Sequence, residues 1–188
     1  MNNKLKPNKI TINPELLETS TTESIVSFET SRFATLIPQP RRGFKEVSAY
    51  FRKSPGPITL PTRATKYSMA YDFYSPIDLV IEPGKVGKIW TNVKAYMQPH
   101  ECLILNVRSS QGGKVMLANT SGWIDMDYFE NENNDGNIGI FLLNISDEPY
   151  VIKKGDRIAQ GAFFNYLVAD NGNTDVERTG GFGHSGKW

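Results

Sequence analysis

The sequence contains one cysteine and two histidines in 188 residues. A disulfide framework and a Cys/His zinc finger are thereby excluded, and a histidine-based triad would rest on His100 or His184 alone. No apolar run reaches the length that spans a bilayer, so no membrane helix is expected. Met1-Asn2-Asn3-Lys4 is not followed by an apolar core and does not read as a signal peptide. The lone Cys102 lies in an apolar stretch, which fits a reduced cytoplasm. An excess of one charge is missing too: 21 Lys plus Arg face 20 Asp plus Glu, for a net charge of +1. A basic coat for nucleic acid is not expected, whereas a small phosphorylated ligand needs only a local basic site. No segment holds a 3.6-residue period over four turns, so long amphipathic helices are not expected either.

What is present is punctuation: 16 glycines and 11 prolines. At about 150 residues per domain, the length gives one domain with some forty residues to spare. Composition divides the chain into three. Residues 1–43 are rich in Thr, Ser, Asn and Glu, contain one helix start at Asn13-Pro14-Glu15, and end in Pro38-Gln39-Pro40-Arg41-Arg42-Gly43, which reads as a linker. They form an extension of unassigned role, with a partner-binding arm as the sharper reading. Residues 44–168 alternate turn signals with short runs of Ile, Val, Leu, Phe and Tyr. The turns fall at Pro83-Gly84, Pro99-His100, Gly112-Gly113, Asp135-Gly136, Asp147-Glu148-Pro149 and Gly155-Asp156. Strands are expected over 88–97, 101–107, 115–118, 138–145 and 158–168, giving an all-β barrel or sandwich with jelly-roll-like connections. Residues 169–188 are polar and Gly-rich.

Several segments carry candidate chemistry. Arg108-Ser109-Ser110-Gln111-Gly112-Gly113-Lys114 leaves an apolar strand with a guanidinium, two hydroxyls and permissive glycines, a phosphate site by residue type. It lacks the spacing of a P-loop and also reads as a plain polar turn. In Gly122-Trp123-Ile124-Asp125-Met126-Asp127-Tyr128, alternation puts Asp125 and Asp127 on one side of an extended chain. A carboxylate beside a phosphate site can take a proton from water, although a surface hairpin with solvated acids fits the same residues. Asp72, within Tyr71-Asp72-Phe73, and Gln160, within Gly155-Asp156-Arg157-Ile158-Ala159-Gln160, are weak signals alone. The tail Arg178-Thr179-Gly180-Gly181-Phe182-Gly183-His184-Ser185-Gly186-Lys187 combines two cations, a stacking ring and glycines whose N–H groups can cradle an anion. By itself such a tail also reads as a disordered end.

Taken in order, these segments resemble the five motifs of the trimeric deoxyuridine triphosphate nucleotidohydrolase (dUTPase) family, over about residues 44–188. Pro61-Thr62-Arg63 through Phe73 is similar to the first, Arg108-Ser109-Ser110 to the second, and Gly122 through Tyr128 to the third. Gly155 through Gln160 is similar to the fourth, and Arg178 through Gly186 to the fifth. The resemblance implies a jelly-roll β fold, a homotrimer with sites at subunit interfaces, and hydrolysis of dUTP to dUMP and pyrophosphate. It implies Mg²⁺ held mainly by substrate phosphates, with Asp72 ordering waters around it. Asp125 corresponds to the base that activates water for attack on the α-phosphate. Arg108, Ser109, Ser110 and Gln160 correspond to phosphate contacts. Asn119, Gly122 and Ile124 belong to the uracil reader, and Tyr128 to the ring beneath deoxyribose. Arg178, Phe182, Gly183, His184 and Ser185 belong to a closing arm, with Phe182 on uracil.

The sequence departs from the family pattern in four places. Met69-Ala70 replaces Ala-Gly before Tyr71. The stretch from Ser110 to Gly122 is about two residues short, and the arm is one residue short before Gly180. Phe129 through Asp135 replaces a one-residue step to Gly136 and is expected as an extended polar loop. The loop points to a Gram-positive bacterial or phage-like member. Two other readings stay open: dCTP deamination on the same fold, using Glu130 or Glu132, and a regulatory protein partner at residues 1–43 or 129–135. No nucleic-acid or membrane partner is expected.

Overall fold

The computed structural model describes residues 41–172, 175, 176, 178, 180 and 181. The described residues form twelve strands and three short 3-10 turns. In order these are β1 (Gly43–Glu46), β2 (Thr62–Arg63), β3 (Tyr71–Tyr74), β4 (Leu79–Ile81), β5 (Val86–Trp90) and β6 (Val93–Tyr96). There follow β7 (Glu101–Asn106), β8 (Val115–Leu117), β9 (Gly122–Asp125), β10 (Gly139–Asn144), β11 (Tyr150–Ile152) and β12 (Arg157–Asn165). All six turn signals expected from the sequence separate consecutive strands. The 3-10 turns are Ala49–Phe51, Ser109–Gln111 and Met126–Tyr128. The last two sit inside the segments singled out for chemistry.

The largest sheet has the order β2-β3-β12-β7-β9 and is antiparallel throughout. A second sheet runs β5-β10-β8, and the pairs β1-β6 and β11-β4 complete the fold. Strand length and alternation explain the layers. β10 alternates half-buried and buried positions, with Ile140, Leu142 and Asn144 fully inside. Ile140 and Leu142 meet Phe73, Ile89, Leu103 and Leu105 in one apolar core. Each such side chain contributes about 1.5–3 kcal/mol by leaving water.

The run expected over 88–97 is two strands, not one. Asn92 takes a left-handed backbone (φ 58°) between β5 and β6. Its amide binds across the break, accepting from Lys53 N–H at 2.9 Å and donating to the Ser54 carbonyl at 2.7 Å. The chain thereby leaves β10, the partner of β5, and joins β1.

Candidate active site

The described site residues gather in two places. The first is a cleft of about 280 Å³ over the β7-β9 ladder. Register pairs Leu105 with Gly122 and Cys102 with Asp125. Gly122 is set so close that a Cβ there would approach Leu105 Cβ to 3.1 Å. Leu105, Leu117, Ile124 and Phe141 make an apolar floor, and Asn119, Ser121 and Asp125 a polar rim. That mixture suits a flat heterocycle carrying a few hydrogen-bonding groups. The turn into β9 is tight: Thr120 takes a positive φ, and Ser121 N–H donates to the Asn119 carbonyl at 2.7 Å.

The expected alternation stops at Asp125. The chain then winds into the 3-10 turn, which leaves Met126 and Asp127 exposed and turns Tyr128 inward. Tyr128 is 6% exposed. Its hydroxyl donates to the Asn137 carbonyl at 2.8 Å and accepts from Asn134 Nδ2 at 2.7 Å. Burial pushes the phenol pKa up, against the smaller opposing effects of Asn134 and Arg178. Arg178 reaches over the rim, its Nη2 2.6 Å from Asp125 Oδ2 and its Nε 2.8 Å from Asp127 Oδ1.

The second place lies just past the C-terminal end of β7, where Arg108 precedes the Ser109–Gln111 turn. Ser109 and Ser110 are exposed. Gln111 is buried and pins the turn: its Oε1 accepts from Arg108 N–H at 2.8 Å, and its Nε2 donates to the Ile158 carbonyl at 3.2 Å. Register sets Asp72 beside Gln160, and Gln160 beside Asn106. Gln160 Nε2 donates to the Val107 carbonyl at 3.3 Å. Asp72 is buried and bridged by two guanidiniums, Arg108 at 2.8 Å and Arg157 at 3.3 Å. Arg108, Lys114 and Arg157 all face one shallow basin. Three cations against Asp72 and Asp156 favour an anion there.

Among the described residues, no cluster of three or more His, Cys, Asp or Glu side chains could hold a metal. Asp72 offers a single carboxylate, with both oxygens already accepting from arginines. That donor fits a hydrated cation touched through water, as Mg²⁺ commonly is, and not a cage of protein ligands.

A family model described as dUTPase matches residues 56–186. The chain belongs to the dUTPase family. The deoxyuridine 5'-triphosphate nucleotidohydrolase of Lactococcus lactis is 42% identical over 149 residues, 77% of this chain and 97% of that protein. The human mitochondrial protein of the same description is 34% identical over 135 residues, 69% of this chain and 51% of that one. The crystal structure of the dUTPase from Streptococcus mutans has a TM-score of 0.61 and 34% identity, covering 69% of this chain and 99% of that one. The dUTPase from phage phi11 of S. aureus shares the fold at a TM-score of 0.56 and 20% identity, covering 73% of this chain and 97% of that one. The expected all-β fold of dUTPase type and the Gram-positive likeness are both borne out.

For this dUTPase-family chain, the cleft gathers Asn119, Gly122, Ile124, Asp125, Tyr128 and Arg178. The basin end gathers Asp72, Arg108, Ser110 and Gln160 with exposed Ser109 beside them. Phe182, Gly183, His184 and Ser185 lie outside the described residues. Residue roles missed from the sequence include Arg157 as the second partner of Asp72, Gln111 as the pin of the Ser109–Gln111 turn, and Asp127 as a partner of Arg178. Arg157 stood in the quoted fourth motif, where a cation beside an acidic turn was the available signal.

Proposed function

We propose that this protein hydrolyses dUTP to dUMP and pyrophosphate by attack of water on the α-phosphate, as a homotrimer in the cytoplasm. The observation that carries the reading is the pairing of an apolar, backbone-rimmed cleft with Asp125 at its mouth. Uracil sits over Leu105 and Gly122, where backbone groups read its donor–acceptor pattern. Cytosine leaves a buried polar group unmatched, at a cost of about 1–3 kcal/mol. A 5-methyl group meets the closed floor, and one methyl in such a pocket is worth about 1–3 kcal/mol of discrimination. The Tyr128 ring packs beneath deoxyribose and leaves no room for a 2′-hydroxyl.

Asp125 accepts the proton of the attacking water. A triphosphate offers Arg178 a more highly charged partner than two aspartates, so substrate draws the guanidinium away and frees Asp125. Arg108, Ser109, Ser110 and Gln160 hold phosphate oxygens against the charge that develops. Asp72 would accept hydrogen bonds from the waters of Mg²⁺, which would supply charge neutralisation on the triphosphate when bound. Phe182, Gly183, His184 and Ser185 complete the closing arm.

Two halves of one site must come from two copies. With uracil at the middle of β9, the triphosphate that reaches Asp125 runs away from Arg108 of the same chain. Asp125 lies opposite Cys102, and the six residues from there to Arg108 span about 20 Å of extended backbone. A neighbouring copy in a ring brings its Arg108 and Asp72 to the phosphates, which supports a closed homotrimer. Deamination of dCTP would need a glutamate at the base. Glu130 is held by Lys94 at 2.9 Å, and neither Glu130 nor Glu132 lines the cleft.

The test is release of pyrophosphate from dUTP, dTTP, dCTP and UTP, with and without Mg²⁺. Turnover selective for dUTP supports the proposal. Equal turnover of all four, or ammonia release from dCTP, overturns it.

A further inference from the structure

The segment Phe129–Asp135, expected as an extended polar loop, turns three of its polar side chains inward. Asn131, Asn134 and Asp135 are each no more than 7% exposed. These three spend their hydrogen bonds within the fold, while Glu130, Glu132 and Asn133 stay exposed. Asn131 Nδ2 donates to the Tyr128 carbonyl at 2.8 Å and to Asn134 Oδ1 at 2.7 Å. Asn134 Oδ1 also accepts from Gly136 N–H at 3.1 Å, so its oxygen faces donors and its Nδ2 faces Tyr128 Oη. Gly136 closes the segment with φ 77°, and a Cβ there would come within 2.9 Å of the Tyr128 carbonyl oxygen.

The far side of the segment is anchored. Lys94, on β6, is buried, and its ammonium meets Asp135 at 2.8 Å and Glu130 at 2.9 Å. The other Asp135 oxygen accepts from Ser48 N–H at 2.7 Å. A second contact comes from the C-terminal arm. Gly181 is buried against the segment, and a Cβ on it would stand 3.1 Å from Asn134 Nδ2. One amide thus binds the Tyr128 hydroxyl and fills the space beside Gly181.

We propose that Asn134 is a positioning residue that fixes the Tyr128 ring against the sugar and seats the arm at Gly181, with Lys94 anchoring the segment that carries it. The inference rests on the dUTP reading of the cleft and adds a residue outside the five motifs to its sugar selectivity. With Tyr128 Oη held between Asn134 and the Asn137 carbonyl, the ring cannot withdraw to admit a 2′-hydroxyl.

The experiment compares kcat/KM for dUTP and UTP in the full-length protein and in Asn134→Ala. The dUTP-to-UTP ratio is expected to fall about tenfold or more, because a buried bond that holds a discriminating group is lost. Tyr128→Phe keeps the ring and cuts the same bond from its other end, so it should lower the ratio similarly and stands in if Asn134→Ala fails to fold. Gly181→Ala should raise KM for dUTP in the parent protein and much less in the Asn134→Ala background, where the crowding amide is gone. A lowered melting temperature with an unchanged ratio in both Asn134→Ala and Tyr128→Phe overturns the proposal, as does strict additivity of Gly181→Ala with Asn134→Ala. Absence of selective dUTP turnover in the parent protein overturns the underlying reading instead.

Discussion

If Asp125 and Arg108 serve one substrate only across a subunit boundary, two inactive variants should repair each other. Asp125→Asn removes the base and is expected to lower turnover by about 10²–10⁴-fold. Arg108→Ala removes a phosphate contact and one of the two guanidiniums on Asp72, and an electrostatic loss of this kind costs about 10²–10³-fold. Each parent alone therefore shows about one per cent of normal turnover or less. In a ring, each site takes Asp125 from one copy and Arg108 from the next. When equal amounts of the two variants are unfolded together and reassembled at random, the chance that both contributions are intact is about one half times one half. Pyrophosphate release from the mixture should thus reach about a quarter of the normal rate, rising faster at higher protein concentration as subunits assemble. The separation that forces this result is the extended run from Cys102, on β7, to Arg108 beyond the strand's end. If mixing restores nothing while light scattering shows mixed assemblies, Asp125 and Arg108 act within one chain, and the pose that sends the triphosphate away from its own Arg108 is wrong.

The other expectations separate stability from function. Arg178→Met should leave chemical denaturation within about 0.5 kcal/mol of normal, because ion pairs with exposed aspartates are worth little. Its turnover should nonetheless fall about 10²-fold or more, and a loss of stability with normal turnover would reverse its assignment. Lys94→Met strands the buried Asp135 carboxylate with only part of its support and should cost about 3 kcal/mol in urea unfolding. Gly136→Ala forces a left-handed backbone on a Cβ that meets a carbonyl, so a loss of about 2 kcal/mol or more is expected by the same measurement. Burial opposes the charges of Asp135 and Lys94, but their mutual hydrogen bond, helped by Ser48 and Glu130, outweighs it and moves the carboxyl pKa down and the ammonium pKa up. A depressed acid pKa adds stability above its ordinary value and loses it as pH falls through the folded value. A raised ammonium pKa adds stability below its ordinary value and loses it as pH rises through the folded one. With ordinary values of 3.8 and 10.5, the anchor stays charged across neutrality. The dUTP-to-UTP ratio should accordingly be flat from about pH 6 to 9, and a step in that interval would contradict the anchor.

Much of this was legible in the chain because it is local. The turn signals mark every boundary they were assigned, since Gly, Pro and Asp act on the residues beside them. The five ordered segments name the family through residue types at short spacing. What escaped is held by contacts distant in sequence. Nothing around Asn92 announces that its amide would bridge Lys53 and Ser54 and split an apolar run into two strands. Lys94 reads as an ordinary strand residue until Asp135, 41 positions away, is folded onto it. Polarity made Asn131 and Asn134 look solvent-facing, although amides that satisfy one another can be buried as readily as exposed. Asp72 and Arg108 were each noticed, but their pairing required β3 and β7 to be set on either side of β12.

The central claim is that water held at Asp125 attacks the α-phosphate of dUTP. It is tested most directly by one turnover of dUTP in water enriched in heavy oxygen, with both products analysed by mass spectrometry. Label in dUMP and none in pyrophosphate is the expected result. Label in pyrophosphate would place the attack on the β-phosphate and contradict the account.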